Sequence, residues 1–356
     1  MKTHRLLEDI LHQPESLRRM ADYQFGEGRA ALNRAADLLR GAPRVILSGM
    51  GSSLCACIPL EHYLGSHGIQ ATTIDTGELL HFRQSACHGA VTVLVSQSGD
   101  TIETAKLLPL LKAQGASVIG VTNKPEGRLA READHTMLIG SQPDKGVALQ
   151  TYVCTLATLL LLGAAVGNEL GEQWRRALDD LAEAFSSALE RILPESEEWR
   201  PFFERASLIY LLARGPSFAS ALEASILFNE VTKFPAVAKT AGSFRHGHIE
   251  VADPDFRGVV FASQECTREI DLGLARDLAS FGGQVRVVAP AGKVSGNDDL
   301  SYWLTPSTPE ILAPVLEIIP LQVASYQLAC WRNVPPGEFR NVGPVILTED
   351  QFNRVR

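Results

Sequence analysis

The chain has 356 residues, 45% hydrophobic and 21% charged, the composition of a globular protein with room for two domains. A formal net charge of -8, a pI near 5.6 and no stripe of Lys and Arg argue against a general nucleic-acid binder, because affinity for a phosphate backbone needs clustered cations. Met1–Met20 is polar and charged, unlike a secretory leader, and the longest apolar run, Val153–Val166, is shorter than the roughly 20 residues of a membrane span, so a cytoplasmic protein with no membrane partner is expected.

In chain order, residues 1–29 are expected to form an N-terminal helical arm. Candidate strands follow at Arg44–Ser48, Ala71–Asp75, Val91–Ser96, Ser117–Thr122 and His135–Ile139, interleaved with helices Ser53–Gly65, Thr101–Gln114 and Gln150–Val166. This alternation predicts a parallel sheet with helices on both faces. A charged helix, Glu172–Ile192, and a linker, Pro194–Glu197, form a seam. The series then starts again with strands Ser207–Ala213, Gly258–Ala262, Gln284–Val288 and Tyr302–Leu304 and helices Ser217–Glu230, Thr267–Phe281 and Ile311–Arg332. Landmarks recur in order: Gly51 matches Gly215, Gln97 matches Gln264, and Val121–Asn123 matches Val288–Pro290. The fold class is therefore α/β, with two tandem doubly wound, flavodoxin-like domains at 30–193 and 194–335 related by internal duplication, and a tail at 336–356. The six cysteines, Cys55, Cys57, Cys87, Cys154, Cys266 and Cys330, have no zinc spacing and read as reduced and buried.

The run from Val91 to Thr101 puts a strand built for burial directly before a hydroxyl-rich turn that opens a helix. Ser96, Ser98, Thr101 and the unpaired N–H groups of the helix start all favour an anion, and Gly99 lets the backbone approach it. The same residues also suit a strand–turn–helix in which Ser and Thr act only as caps. The second copy has Glu265 where the first has Ser98, so only the first reads as an anion seat.

In the second half, Glu223 and Glu230 stand seven residues apart and are expected to share a helix face with Leu222, Ile226 and Leu227. Burial would raise a carboxyl toward the range useful for proton transfer, making Glu230 a candidate general base; a solvated edge of an amphipathic helix fits as well. The loop Thr240–Glu250 gathers Arg245, His246, His248 and Glu250. Its H-x-H pair lacks a well-spaced third ligand, so no metal and no cofactor is expected. Glu78 and His81 read either as lining the site or as a mixed surface helix. His62, His67, His88 and His135 read as structural or exposed.

These motifs together, G-M-G-S-S, S-Q-S-G-D-T, and the run from A-L-E-A through N-E to F-R-H-G, resemble the sugar isomerase (SIS) domain family. The pattern is similar to the double-SIS isomerase half of glucosamine-6-phosphate synthase and to the fructosamine-6-phosphate deglycases, from about Ala30 to the C-terminus. The resemblance implies that Ser53, Ser96, Gln97, Ser98 and Thr101 hold a sugar phosphate. Gly51, Ser52, Lys145, Val147 and Glu223 would line the sugar. It implies Glu230 as the proton shuttle and His246 as the ring-opening histidine, delivered across a homodimer.

The departures narrow the chemistry. Where the synthase has a Schiff-base lysine, this chain reads Arg340-Asn341-Val342-Gly343-Pro344. Leu227 replaces another lysine, and Val237 and Ser243 stand where relatives often have glutamates. No glutamine-hydrolysing half is recognised, and Lys2 follows Met1, so a complete amidotransferase is not expected. A substrate bearing its own amine needs no enzyme lysine, and this favours a deglycase or deaminase acting on an amine-bearing hexose 6-phosphate. A plain aldose–ketose isomerase and a non-catalytic sugar-phosphate sensor are the alternatives.

Overall fold

The computed structural model describes residues 4–294, 299–341, 343 and 345–348. Val342 and Pro344 lie outside the described residues. The chain forms two compact units. The first is His12–Asp179 with the segment from Phe339 onward, and the second is Asp180–Glu338 with the segment up to Leu11.

Helices α1 (Arg5–Phe25) and α2 (Arg29–Arg40) precede β1 (Val45–Gly49), α3 (Ser52–Ser66), β2 (Ala71–Asp75), α4 (Thr76–Phe82) and β3 (Val91–Val95). Then come α5 (Ile102–Ala113), β4 (Ser117–Thr122), α6 (Arg128–Glu132), β5 (His135–Leu138) and α7 (Gln150–Val166). The long α8 (Glu172–Glu195) and short α9 (Arg200–Glu204) lead to β6 (Ile209–Ala213), α10 (Phe218–Leu227), β7 (Ala236–Thr240), α11 (Ala241–Arg245) and β8 (Arg257–Phe261). The last elements are α12 (Arg268–Ser280), β9 (Gln284–Pro290), β10 (Ser301–Thr305) and α13 (Ala313–Trp331).

In the first unit the strands run parallel in the order β2-β1-β3-β4-β5. Strand β3 is buried along its whole length, as expected for a strand covered on both faces. Alternation divides its side chains: Leu94, with Ile46 and Val118, packs against Leu79, Leu107, Leu108 and Leu129 of α4, α5 and α6. Helix α7 is buried at every position and packs with α2 and α3. Gly49 pairs with Val95, so the turns after β1 and β3 leave the sheet level with each other. The direction of winding reverses between these two strands, the place where ligands bind in open α/β sheets.

The second unit repeats the arrangement as β10-β9-β8-β6-β7, again all parallel, with its reversal between β6 and β8. Leu212, Val260, Val287 and Ala289 pack with Leu272, Ala275 and Leu278 of α12. The segment Glu310–Trp331 is long and apolar enough to cross a membrane by length and composition; 89% of its most apolar window is buried inside the structure.

Three expectations are corrected. The helix read as continuous over Ser217–Glu230 is a 3-10 turn at Gly215–Ser217, then α10, then a π-helical turn at Phe228–Thr232. The shared face of one regular helix expected for Glu223 and Glu230 therefore does not form, because a π turn takes more residues than an α turn. Strand β7 was missed, since only Ala236 of its five residues is buried and it sits at the sheet edge. All six cysteines are free, yet Cys266 is exposed and Cys330 half-buried, while the other four are buried as expected.

Gly120 in β4 lets α6 lie on the sheet: a Cβ there would stand 2.9 Å from Ala133 Cβ and 3.0 Å from Leu129 Cγ. Gly120→Ala should cost roughly 1–3 kcal/mol through overpacking. A lowered urea midpoint for the first unit, followed by circular dichroism, checks this, and an unchanged midpoint contradicts it.

Candidate functional site

The turn after β3 is built by its own hydroxyls. Ser96 Oγ accepts from the Gly99 amide at 3.1 Å, and Ser98 Oγ accepts from the Asp100 amide at 3.3 Å. A hydroxyl that already accepts from the backbone keeps its proton to give, which is what an anion requires. Both serines are only 4% exposed, while Gln97 and Thr101 are half-buried. Gly99 turns the chain with φ +68, and a Cβ there would also press on Thr122 Oγ1 at 3.2 Å. The cap-only reading is not what forms at Thr101: its hydroxyl donates to Thr104 Oγ1 at 2.8 Å and does not cap the helix.

The helix start is less open than the sequence suggested. The Ile102 amide donates to the Ile346 carbonyl at 3.1 Å, so one of the N–H groups expected to face an anion is taken by the C-terminal segment. Beside β3, Gly51 opens the turn into α3 at φ +53 and is exposed, with Ser52 and Ser53 half-buried. The first unit thus gathers Gly51, Ser52, Ser53, Ser96, Gln97, Ser98 and Thr101 at the carboxyl ends of its two central strands.

Other supports carried no signal of their own in the sequence. The Gln97 carbonyl accepts from Thr122 Oγ1 at 3.2 Å and from the Asn123 amide at 3.1 Å. Asn123 also exchanges hydrogen bonds with the Ser141 backbone, tying the end of β4 to the loop that follows β5. In that loop Lys145 is exposed and Val147 is 3% exposed. Asp144 caps α7 from a distance: its carboxylate accepts from the Gln150 amide at 2.8 Å, the Thr151 amide at 3.1 Å and the Thr151 hydroxyl. Burial pushes the Asp144 carboxyl up to about 6 against the pull of those bonds. Glu78 and His81, on α4, are exposed. His135 is structural, its Nε2 lying 2.7 Å from the Ala31 carbonyl.

In the second unit Glu230 sits on the π-helical turn, half-buried. Burial raises its carboxyl above the ordinary range, and nearby Lys233 draws it partly back. Lys233 has φ +54, and its Nζ donates to the Glu230 carbonyl and, at 2.7 Å, to the Glu338 carbonyl. It was not anticipated, since an isolated lysine after N-E-V-T fits no pattern. Glu223, on α10, is 0% exposed. His246 follows α11, exposed, beside Gly247 at φ +114, and Arg245 pairs with Asp277 at 2.8 Å. Among the described residues no three His, Cys, Asp or Glu side chains gather as metal ligands do.

Residues 38–166 and 202–332 each match the SIS domain, so the chain belongs to the SIS domain family and carries that domain twice. A glutamine–fructose-6-phosphate aminotransferase (isomerizing) of Pyrobaculum aerophilum is 28% identical over 358 residues, covering 97% of this chain and 58% of the relative. The chain thus spans less than two thirds of that relative's length. Tagatose-6-phosphate ketose/aldose isomerase from Escherichia coli superposes with a TM-score of 0.81 at 21% identity, over 98% of this chain and 97% of that one. Glucosamine-6-phosphate deaminase from Thermotoga maritima superposes at 0.76 and 19% identity, over 96% and 99%. Both likenesses are of fold.

Asp144 gives a pH test. A carboxyl raised from 3.8 to about 6 by folding stabilises the native state below the lower value, and that contribution is lost as pH rises through about 6. The stability lead of wild type over Asp144→Asn should shrink between pH 4 and pH 7, by no more than about 3 kcal/mol for two units. Thermal unfolding of both proteins across that range measures it; a lead that grows with pH contradicts it.

Proposed function

We propose that this chain is an enzyme acting on an amine-bearing hexose 6-phosphate, a deglycase or deaminase working by proton transfer between C1 and C2. The observation that carries the reading is the pair of buried serine hydroxyls, Ser96 and Ser98, fixed by backbone amides at the switch point of the first sheet. Two hydroxyls with protons to give form a seat for a dianionic phosphate, with Ser53, Gln97 and Thr101 as its further donors. Val147, Lys145, Gly51 and Ser52 would line the sugar, whereas Glu223, with no exposed surface, would reach it only after a rearrangement. The relatives, named as a glutamine–fructose-6-phosphate aminotransferase, a tagatose-6-phosphate ketose/aldose isomerase and a glucosamine-6-phosphate deaminase, have a phosphorylated hexose in common.

In the reaction, the substrate's own nitrogen on C1 and the carbonyl at C2 acidify the C1–H bond. Glu230, held nearer to neutrality by burial, takes that proton while the C2 oxygen gains one from solvent, giving an enaminol; Glu230 then returns its proton at C2 as the nitrogen releases its own to solvent. The product is an aldose imine, whose C=N bond water hydrolyses to the free amine and a hexose 6-phosphate. His246 exchanges protons with the ring oxygen; its exposure suits delivery from a second copy of the chain in a homodimer. No enzyme lysine takes part, because the amine arrives with the substrate.

Glu230→Gln should stay folded and lose about 10²–10⁴-fold in kcat. Ser98→Ala should raise KM for the phosphorylated substrate more than it lowers kcat. A coupled assay for glucose 6-phosphate release, beside a thermal-shift titration with hexose 6-phosphates, reads both. Turnover of plain aldose or ketose phosphates alone would move the reading to an isomerase. Stabilisation by hexose phosphates without turnover of any substrate would make the chain a sensor.

A further inference from the structure

The second unit keeps the backbone of the first unit's switch point and fills it differently. Gly215 follows β6 at φ +55 as Gly51 follows β1 at φ +53, and Ser217 stands two residues on, as Ser53 does. Ser263-Gln264 follows β8 as Ser96-Gln97 follows β3. Into this second turn pair comes Glu317 of α13, 0% exposed. Ser217 Oγ donates to Glu317 Oε1 at 2.7 Å and Ser220 Oγ donates to Oε2 at 2.7 Å. Gln264 Nε2 donates to Ser217 Oγ at 3.2 Å, which commits the hydroxyl proton of Ser217 to the carboxylate. The buried Ser263 hydroxyl has no geometrically complete hydrogen bond, yet it too acts on this carboxyl.

The donors are those of an anion site: one hydroxyl on the turn that leads into α10 and one on its first turn, reinforced by a side-chain amide, with no cation among the groups acting on Glu317. Burial raises the carboxyl and the three serines draw it back. A second carboxylate serves the neighbouring donor, since the Glu265 amide, at the position of Ser98, gives its proton to Glu310 Oε2 at 2.9 Å. Both carboxylates come from the stretch that opens the last helix of the unit.

We propose that Glu317 is a built-in ligand: its carboxylate occupies the anion cradle that duplication left between β6 and β8, and so closes the second SIS domain to phosphorylated sugars. The exclusion of sugar phosphate rests on the function proposed above for the first cradle. The occupancy rests on the geometry of the second unit alone.

Glu317→Ala removes the carboxylate and leaves a space of carboxylate size beside three serines, into which formate fits. Sodium formate should raise the melting temperature of Glu317→Ala with dose, by about 5 °C at a hundredfold excess over Kd, against sodium chloride at equal ionic strength. Wild type and Glu317→Leu, whose cradles are filled, should shift far less. No shift in Glu317→Ala, or an equal shift in all three proteins, overturns the proposal. If Glu317→Ala does not fold unaided, its refolding yield in formate against chloride decides the same question: recovery supports the built-in ligand, and no recovery overturns it. Turnover is not read, so an inactive wild type leaves a positive result standing and a flat formate response leaves the proposed reaction untouched.

Discussion

A parallel strand buried on both faces offers the solvent only its ends, and that constraint organises each unit. Val91–Val95 has no exposed side chain with which to do chemistry, so whatever it positions must lie beyond Val95. The register that pairs Gly49 with Val95 puts two turns level at the point where the winding reverses. There the chain spends serine hydroxyls on its own amides, which organises the turn before any ligand arrives. Preorganisation of this kind reduces the ordering that binding would otherwise require.

Burial raises all three of the acidic groups that matter, and what surrounds each one separates their roles. Glu317 is satisfied by hydroxyls and has no outlet to solvent, so its carboxyl is fixed in place, as a built-in ligand must be. Asp144 is held by the first amides of α7, so its charge is spent on ordering the loop that carries Lys145 and Val147. Glu230 remains half-exposed on a π turn, near a lysine whose ammonium is bound by two carbonyls. It is the one of the three that keeps access to solvent, as the proton-transfer role proposed for it requires.

Hydrophobic pattern made the fold legible wherever burial was two-sided. Strand Ser117–Thr122 and helix Gln150–Val166, both almost wholly buried, form with the bounds expected from sequence. Strand β7 escaped because an edge strand with Lys239 and Thr240 carries no buried alternation. The serine turn was legible because it combines a buried strand with hydroxyls and glycine in adjacent positions. Its supports, Thr122, Asn123 and Asp144, were not, since each acts through a contact 18 or more residues away or by capping a helix it does not precede directly. The π turn beneath Glu230 was invisible for a different reason: helical periodicity assumes the very spacing that the turn breaks.

The two copies also separate what a fold preserves from what a site requires. Strand order, the switch point and the left-handed glycine at its first turn survive in both, because backbone geometry demands them. The side chains in the cradle are under no such demand. A cradle of serine hydroxyls cannot simply be abandoned once buried, since each unpaired group costs about 1–3 kcal/mol. It must either keep a ligand or acquire one from its own chain, and an acidic side chain on the neighbouring core helix meets that need at the cost of its own desolvation. On the occupancy proposed for Glu317, a duplicated domain that loses its ligand is pushed toward an internal substitute of the same charge, and only the other copy stays open to an anion from outside.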